Sequence, residues 1–229
     1  MLFAISDLHL PLGVDKPMNI FGSVWDNYVE RLADNWQSTV GENDVVLMPG
    51  DFSWATYLEQ SIKDFEFLEK LNGRKIISKG NHDYWWTTMS KLKAFAAKHD
   101  FKSIEFMYNS CFMYENTAVC GSRGWIHPAW DGFSEEDKKI FEREVIRAEL
   151  SLQQARGNDI IFCSHYPVRS SRLEENKLTE LLKEYNVKEI VYGHLHGNAH
   201  RYAVNGEHDG MMYRLVSADY VKFVPQKLR

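Results

Sequence analysis

The sequence predicts an α/β fold built on a large or double mixed sheet. Strand and helix patterns alternate through the first half of the chain, which is typical of parallel strands joined by helices. Short strands in the middle and at the end favour antiparallel additions to that sheet. No Pro/Gly/Ser-rich linker separates these parts, so the 229 residues are predicted to form a single domain over 1–229.

The first half contains three short apolar runs of the kind found in buried strands, and a helical pattern follows each of them. Between Leu58 and Leu71, apolar residues recur every three or four positions, as in an amphipathic helix, and Asn72-Gly73 ends it. The predicted elements are strand 2–6, a helix near 25–40, strand 44–48, helix 57–71, strand 74–78 and a helix near 87–98.

The second half begins with three short strands, and Asn116 marks a turn between the last two. A strongly charged amphipathic helix follows a loop at 121–134. The predicted elements are strands 103–108, 111–115 and 117–121, helix 135–155, strand 159–163, helix 173–185, strand 187–192, and two or three antiparallel strands within 200–224.

Composition excludes several classes of protein. A hydrophobic content of 44% and a charged content of 26% are those of an ordinary soluble domain. The net charge of −5 argues against an extended nucleic-acid surface. No apolar run approaches the ~20 residues of a membrane span. The three cysteines have no metal or disulfide spacing, and the N-terminus has no basic segment before its apolar residues, so we expect a cytoplasmic protein without a secretory signal.

Potential metal ligands follow five of the predicted strands. Because ligands of open α/β sheets bind outside the carboxyl ends of the strands, these segments are expected to converge on one rim. Five of the nine histidines lie at these positions. The five segments are Asp7 with His9, Gly50-Asp51, Gly80-Asn81-His82-Asp83, Ser164-His165, and Gly193-His194-Leu195-His196-Gly197.

Two pairs of these residues have a spacing of two. In extended backbone, residues i and i+2 point to the same side. Asp7 with His9, and His194 with His196, could therefore each present two ligands to one centre while the leucine between them packs away. Glycines beside these ligands permit the sharp turns that aim the side chains.

The donor types favour two divalent ions. Two carboxylates, four imidazoles and one amide suit Mn, Fe, Zn, Ni or Co, with Mn favoured, and no cysteine is placed for a thiolate zinc site. Asp51 is the natural candidate for a carboxylate shared by both ions. The charges of two M²⁺ ions, two aspartates and one hydroxide sum to about +1, and this positive charge attracts an anion. A pair of metal ions ~3.5–4 Å apart can clamp a phosphate.

The ordered series Asp7-x-His9, Gly50-Asp51, Gly80-Asn81-His82-Asp83, His165, Gly193-His194-x-His196 resembles the calcineurin-like metallophosphoesterases. The motifs run from residue 7 to residue 196, and five blocks in this order are highly specific. The resemblance implies a four-layer α-β-β-α sandwich of two mixed sheets with a dinuclear site. It also implies hydrolysis of a phosphomonoester or phosphodiester by a metal-bridging hydroxide, without a covalent phosphoenzyme.

The resemblance also implies a role for each matched residue. One metal would be bound by Asp7, His9, Asp51 and His196, and the other by Asp51, Asn81, His165 and His194, with Asp51 bridging. His82 would face the phosphate as electrostatic stabiliser and general acid, and Asp83 would orient it.

Two departures from the family pattern limit the choice of subgroup. Trp54 stands three residues after Asp51, where purple acid phosphatases have an iron-binding Tyr and Ser/Thr protein phosphatases an Asp, and indole does not ligate metals. The Arg-bearing extension of the protein phosphatases is absent. Arg123 is the best alternative phosphate contact, against the alternative of a surface or helix-pairing arginine.

Aromatic residues adjoin the motif segments and could stack a nucleobase or another flat ring, or simply pack the interior. The candidates for substrate contact are Trp54, Tyr84 and Trp125, besides Arg123. The loop 121–134, which also carries His127 and Trp130, is a candidate lid or substrate-shaping loop. His99, His200 and His208 are expected to be ordinary surface histidines.

The sequence predicts a metal-dependent phosphohydrolase acting on a small-molecule or nucleotide phosphate. One alternative is a catalytically silent scaffold of the same fold that binds protein partners. Another is a dinuclear hydrolase of carboxylic esters or amides. Monoester, diester and pyrophosphate substrates all stay open, as does the oligomeric state.

Overall fold

The chain forms two β-sheets that pack face to face between helices. A computed structural model describes residues 1–155 and 159–229. The described strands are β1 Leu2–Ala4, β2 Val45–Pro49, β3 Arg74–Ser78, β4 Ile104–Phe106, β5 Phe112–Tyr114, β6 Thr117–Ser122, β7 Asp159–Ser164, β8 Glu189–Tyr192, β9 Gly206–His208, β10 Met211–Leu215 and β11 Gln226–Lys227.

The first sheet has the strand order β11-β1-β2-β3-β4 and the second the order β5-β6-β7-β8-β10-β9. Strands β1 to β4 run parallel in the first sheet, and β11 is antiparallel at its edge. In the second sheet, β6, β7, β8 and β10 run parallel, while β5 and β9 are antiparallel edge strands. Both sheets are therefore mixed, as predicted.

In the described part of the chain, five α-helices cover the outer faces of the sheets. These are α1 Tyr28–Thr39, α2 Ile62–Glu69, α3 Met89–Lys98, α4 Glu135–Leu152 and α5 Lys177–Glu184. Leu32 and Trp36 of α1 are buried against the first sheet, as one apolar stripe. Helix α4 begins at a capping box in which Ser134 and Asp137 satisfy each other's backbone amides. Short 3₁₀ turns lie at Met18–Phe21, Ser23–Trp25, Leu58–Ser61 and Gly197–Tyr202.

Three apolar clusters hold the layers together. One lies between the first sheet and α1 to α3, and another between the second sheet and α4 and α5. The third lies between the two sheets and includes Leu47, Ile76, Val119, Ile161 and Val191. Parallel strands buried on both faces read as continuous apolar runs, and β2 is such a strand. The four-layer α-β-β-α prediction is confirmed.

The structure differs from the sequence prediction in two places. The short strands of the middle do not all lie together, because β4 pairs with β3 in the first sheet while β5 begins the second. In the tail, β9 and β10 form an antiparallel hairpin as predicted, but β10 also runs parallel to β8, and β11 lies in the other sheet beside β1. In both cases the local apolar pattern does not specify which strand becomes the pairing partner.

The carboxyl ends of the parallel strands meet at one edge, where backbone hydrogen bonds tie the loops together. The Asp7 amide donates to the Gly50 carbonyl at 3.0 Å, and the His9 amide donates to the Asp51 carbonyl at 3.0 Å. The Gly193 amide donates to the His165 carbonyl at 3.1 Å, within the second sheet's loops. Within the described residues, every helix is too short or too polar to cross a bilayer.

Candidate metal centre

Four of the predicted ligands have left-handed backbone. The φ angles of Asp7, His9, Asp51 and His194 are 57°, 47°, 53° and 73°. Such conformations cost a non-glycine residue on the order of 1–3 kcal/mol and cluster at functional sites. The prediction that these segments are extended is therefore wrong, and tight turns aim the side chains instead.

Two glycines permit the close approach of neighbouring loops. A Cβ atom at Gly80 would collide with the Asp51 carboxylate and amide, and one at Gly193 would collide with the Asp7 carboxylate. A side chain at either position would therefore push a candidate ligand out of place.

The first donor group consists of His9 Nε2, His196 Nε2, Asp7 Oδ1 and Asp51 Oδ2. The two imidazole nitrogens lie 3.2 Å apart. His196 Nε2 lies 3.4 Å from Asp7 Oδ1, and His9 Nε2 lies 3.8 Å from Asp51 Oδ2. Four donors from three separate loops thus face one point.

The second donor group consists of Asn81 Oδ1, His165 Nε2, His194 Nδ1 and again Asp51 Oδ2. Asn81 Oδ1 lies 2.6 Å from His165 Nε2 and 2.8 Å from His194 Nδ1. The two imidazole nitrogens lie 3.3 Å apart, and Asp51 Oδ2 lies 3.4 Å from His165 Nε2. The same Asp51 oxygen therefore contacts both groups.

Four of these seven separations, from 3.2 to 3.4 Å, fit ligands of a common divalent ion. Adjacent ligands about 2.1 Å from a common ion lie roughly 3–3.5 Å from each other. His194 and His196 belong to different groups, so the prediction that this pair serves one centre by spacing is wrong. The reason is the left-handed turn at His194, which directs the two rings apart while Leu195 packs against the second sheet's cluster.

The carboxylates of Asp7 and Asp51 are buried and need a counter-charge. Burial and the nearby Asp7 charge raise the pKa of Asp51 to about 8. Burial also disfavours ionised Asp7, but the His196 hydrogen bond and the surrounding imidazoles outweigh it and hold its pKa below the usual range. Among residues 1–155 and 159–229, only histidines form ion pairs with either carboxylate. A divalent cation would supply the missing charge.

The histidines are largely prepared as neutral ligands. Burial lowers the pKa of His9 and His165, and burial with the His165 charge lowers that of His194 to about 3. Burial acts the same way on His196, but hydrogen bonds to Asp219 and Asp7 outweigh it and raise its pKa to about 10. Metal binding there would release that proton.

Hydrogen bonds on the far side of two rings fix which nitrogen is free. His165 Nδ1 lies 3.0 Å from the Pro49 carbonyl, which only accepts, so Nε2 keeps its lone pair for the centre. His196 Nδ1 lies 2.9 Å from Asp219 Oδ1 and is oriented in the same way. The other Asp219 oxygen accepts from the Gly197 amide at 3.0 Å and lies 3.3 Å from His200 Nε2.

Sequence reasoning missed Asp219 because no motif surrounds it and only the fold brings the tail back to the site. His200 is correspondingly not an ordinary surface residue, since its side chain is only 24% exposed and lies against Asp219.

His82 and Asp83 follow Asn81 but point in different directions. The His82 ring lies 5.6 Å from the His9 ring and lines the groove over the first donor group. Asp83 is fully buried, and its carboxylate accepts from the amides of Asp51, Phe52 and Gly80 and from Trp85 Nε1. The Ser53 amide lies farther away, at 3.5 Å, and among the described residues the His82 ring is not a partner of this carboxylate. The structure thus differs from the prediction that Asp83 orients His82, because the carboxylate turns inward to join two loops.

Of the predicted substrate contacts, Trp54 lies nearest to the donors. Its ring stacks on His9 with 4.5 Å between centroids and lies 4.8 Å from the His82 ring. Tyr84 is 64% exposed, and its ring lies 6.2 Å from that of His82, at the outer edge of the site. Trp54 belongs to a groove of about 360 Å³ whose apolar lining also includes Met18, Phe21, Val24 and Trp25. We call this the aromatic groove.

Arg123 and Trp125 lie away from the donor atoms. The Arg123 guanidinium lies 3.5 Å from Glu144 of α4 and 4.5 Å from the Trp125 ring, so it pairs with a helix, the alternative the sequence left open. The Tyr166 ring lies between Trp125 and the site, 5.1 Å from the Trp125 ring and 4.2 Å from the His194 ring. In the loop 121–134, His127 lies 3.3 Å from the Glu174 carbonyl, and Trp130 is 57% exposed.

The sequence profile of one protein family matches most of the chain. The family is described as Calcineurin-like phosphoesterase, and the match spans residues 2–198. No curated protein has a significant match to this sequence.

Solved structures share the fold at low sequence identity. A protein of unknown function from Aquifex aeolicus has 18% identity and a TM-score of 0.52, with coverage of 99% of this chain and 94% of its own. The phosphopantetheinyl hydrolase of Mycobacterium tuberculosis has 13% identity and a TM-score of 0.56, with coverage of 94% and 88%. A Thermus thermophilus protein has 13% identity and a TM-score of 0.52, with coverage of 85% and 81%.

Proposed function

Because this chain belongs to the calcineurin-like phosphoesterase family, we propose that it is a dinuclear-metal-dependent phosphohydrolase. The observation that carries the proposal is the shared oxygen of Asp51. It lies 3.8 Å from His9 Nε2 in one donor group and 3.4 Å from His165 Nε2 in the other. One carboxylate common to two donor groups is the arrangement that a metal pair requires.

In this proposal, Asp7, His9, Asp51 and His196 hold one ion, and Asp51, Asn81, His165 and His194 hold the other. The donor set favours Mn²⁺, with Fe, Zn, Ni or Co also compatible. When bound, the two ions supply Lewis acidity that polarises phosphate oxygens and activates water for attack at phosphorus. Asp219 keeps His196 in the tautomer that presents Nε2.

His82 is the residue best placed to act on the substrate itself. Burial, helped by the charges of His165 and Lys16, lowers its pKa to about 4, so the ring is neutral at pH 7 before substrate binds. Its N–H can donate a hydrogen bond to a phosphate oxygen. A bound phosphate anion raises the pKa and favours the protonated ring, which a general acid for the leaving oxygen requires.

The groove favours a compact substrate. Its volume of about 360 Å³ and its mostly apolar wall, which includes Trp54, suit a small-molecule or nucleotide phosphate. The net charge of −5 is unfavourable for an extended nucleic-acid partner. We propose a cytoplasmic enzyme that cleaves a phosphomonoester or phosphodiester.

The test is a hydrolysis panel on protein stripped of metal and reloaded with Mn²⁺. It compares p-nitrophenyl phosphate, bis-p-nitrophenyl phosphate, a cyclic nucleotide, a nucleotide pyrophosphate and p-nitrophenyl acetate. We expect cleavage of one phosphate class and loss of that activity in His82→Ala. The control is His208→Ala, since that ring lies in the β9–β10 hairpin and contacts the Asn205 carbonyl.

Preferential cleavage of the acetate would instead indicate a carboxylic ester hydrolase. Two bound Mn²⁺ ions without cleavage of any substrate would overturn the proposal in favour of a scaffold.

A further inference from the structure

A second and larger cavity is lined in part by Ser78 and Lys79, which directly precede the Gly80–Asp83 segment of the metal centre. Its volume is about 610 Å³. The end of β3, the start of α3, the β4–β5 connection, the end of β6 and one face of α4 enclose it. We call it the cationic cleft, after Lys79, Arg123 and Arg147, which line it together with Glu144.

The charges on its wall do not balance. Three cations and one carboxylate give +2 (3 − 1), in a chain whose net charge is −5. Glu144 Oε1 holds both arginines, 3.5 Å from Arg123 and 2.6 Å from Arg147. The buried Nε of Arg123 has no hydrogen-bond partner within residues 1–155 and 159–229, and Lys79 forms no ion pair there. The cleft therefore has unused donors and unneutralised positive charge.

The backbone connects this cleft directly to the second donor group. Lys79 precedes Asn81 by two residues, which limits the distance between their Cα atoms to about 7 Å. The Arg123 carbonyl accepts the amides of His165 and Tyr166, each at 3.0 Å. Two segments of the cleft wall therefore adjoin ligands of the second donor group.

The lining also shows what kind of molecule would fit. The volume far exceeds a single phosphate and lies within the range of ~300–1,000 Å³ typical of sites for organic ligands. Trp86 and Tyr108 provide aromatic surface, and the Arg147 guanidinium lies 5.3 Å from the Tyr108 ring centroid. Cations beside aromatic faces suit an organic phosphate rather than a free inorganic ion.

We infer that the cationic cleft binds a second phosphate group of the substrate, so that the physiological substrate is an organic compound with two phosphate groups. The inference rests on the proposed function, because the first phosphate is the one held at the metal centre. Lys79, Arg123 and Arg147 would then determine specificity while the aromatic groove receives the remaining part of the substrate.

Calorimetric titration with phosphonates tests this inference, because phosphonates are not hydrolysed. Mn²⁺-loaded protein is titrated with an alkyl monophosphonate and with α,ω-alkane bisphosphonates of increasing linker length. We expect the best bisphosphonate to bind at least about tenfold more tightly than the monophosphonate, because two linked groups bind as one. Lys79→Met and Arg147→Met should each reduce the gain in affinity from the second phosphonate, by up to about tenfold. Neither substitution should change the affinity for the monophosphonate.

The matched control is Arg143→Met, one turn before Arg147 on α4 and exposed. A wild-type protein that gains nothing from the second phosphonate at any linker length overturns the inference. So does an equal loss of the gain in Arg143→Met and Arg147→Met, which would indicate unspecific attraction.

The two proposals fail separately. A bisphosphonate gain that depends on Arg147, without hydrolysis of any phosphate, retains the cleft and removes the phosphohydrolase. Hydrolysis of a phosphate substrate without a gain in affinity from the second phosphonate retains the phosphohydrolase and removes the cleft. If the Mn²⁺-loaded protein binds no monophosphonate, metal-free protein is titrated with inorganic phosphate instead. The inference about the cleft is overturned if Arg147→Met binds inorganic phosphate as tightly as Arg143→Met does.

Discussion

Replacing Asp83 by asparagine should destabilise the fold rather than remove a catalytic proton relay. The Asp83 carboxylate is fully buried and accepts four hydrogen bonds of 3.0 Å or less. Oδ2 accepts from the amides of Asp51 and Gly80, at 2.9 and 2.7 Å. Oδ1 accepts from the Phe52 amide and from Trp85 Nε1, both at 3.0 Å. The side chain thus joins the loop after β2 to the loop after β3.

The magnitude follows from counting those bonds. An asparagine keeps one acceptor oxygen, so in either orientation two buried N–H donors face an NH₂ group. Each buried donor that loses its acceptor costs about 1–3 kcal/mol, which gives about 2–6 kcal/mol for Asp83→Asn. For a chain of 229 residues, each kcal/mol lowers Tm by about 2–4 °C, so we expect a fall of roughly 4–24 °C.

Urea unfolding of metal-free protein measures this effect, with tryptophan fluorescence as the signal. The control is Asp34→Asn on α1, since Asp34 is exposed and should change the free energy of unfolding by less than about 0.5 kcal/mol. Unchanged stability of Asp83→Asn, together with a reduced kcat measured well below both unfolding midpoints, would refute the reasoning. That result would support the role of Asp83 in orienting His82.

Three further predictions concern the metal centre and the core. His82→Ala should slow hydrolysis by about 10²–10⁴-fold for a phosphate ester with an alkyl leaving group. The loss should be smaller for a p-nitrophenyl ester, because p-nitrophenolate needs little protonation, and equal losses in kcat for the two esters would exclude an acid role. Asp219→Asn should weaken one of two Mn²⁺ sites by about 10–100-fold in calorimetry, because His196 loses its charged partner, and unchanged affinities would contradict this. Burial raises the pKa of Asp64 to about 7, so the folded chain holds its proton more tightly than the unfolded chain and stability falls as pH rises from about 4 to 7. The free energy of unfolding of Asp64→Asn, measured in urea with a chelator present, should therefore rise by roughly 3–4 kcal/mol relative to that of wild type between pH 4 and pH 8. A difference between the two proteins that does not change with pH would contradict the assigned pKa.

The sequence was sufficient for the family and the layers of the fold. Apolar runs and amphipathic helices are local patterns, and they specify which faces must be buried. The ordered motifs from Asp7 to His196 identified the family, and the profile match over residues 2–198 confirms that resemblance. The motifs could do so because metal ligands need particular side chains at the ends of particular strands.

The sequence was insufficient wherever the answer depends on contacts between distant segments. Strand β4 could have joined either sheet, and its apolar pattern is the same in both cases. Asp83 follows His82 in sequence, yet the fold turns its carboxylate inward to the amides of the neighbouring loop. The roles assigned to the site residues and the division into one domain stay predictions.

The sequence by itself determined that seven metal-type ligands and His82 lie after buried strands, because residue type and local spacing are written in the chain. The family resemblance already divided these residues into the two groups that the structure brings together, but the spacing of the residues did not, since the left-handed turns at Asp51 and His194 set the direction of each side chain. Only the tertiary structure decided that Asp219 supports His196 and that Lys79, Arg123 and Arg147 line one cleft. Those contacts join residues far apart in sequence, and they exist only once the core has brought both sheets together.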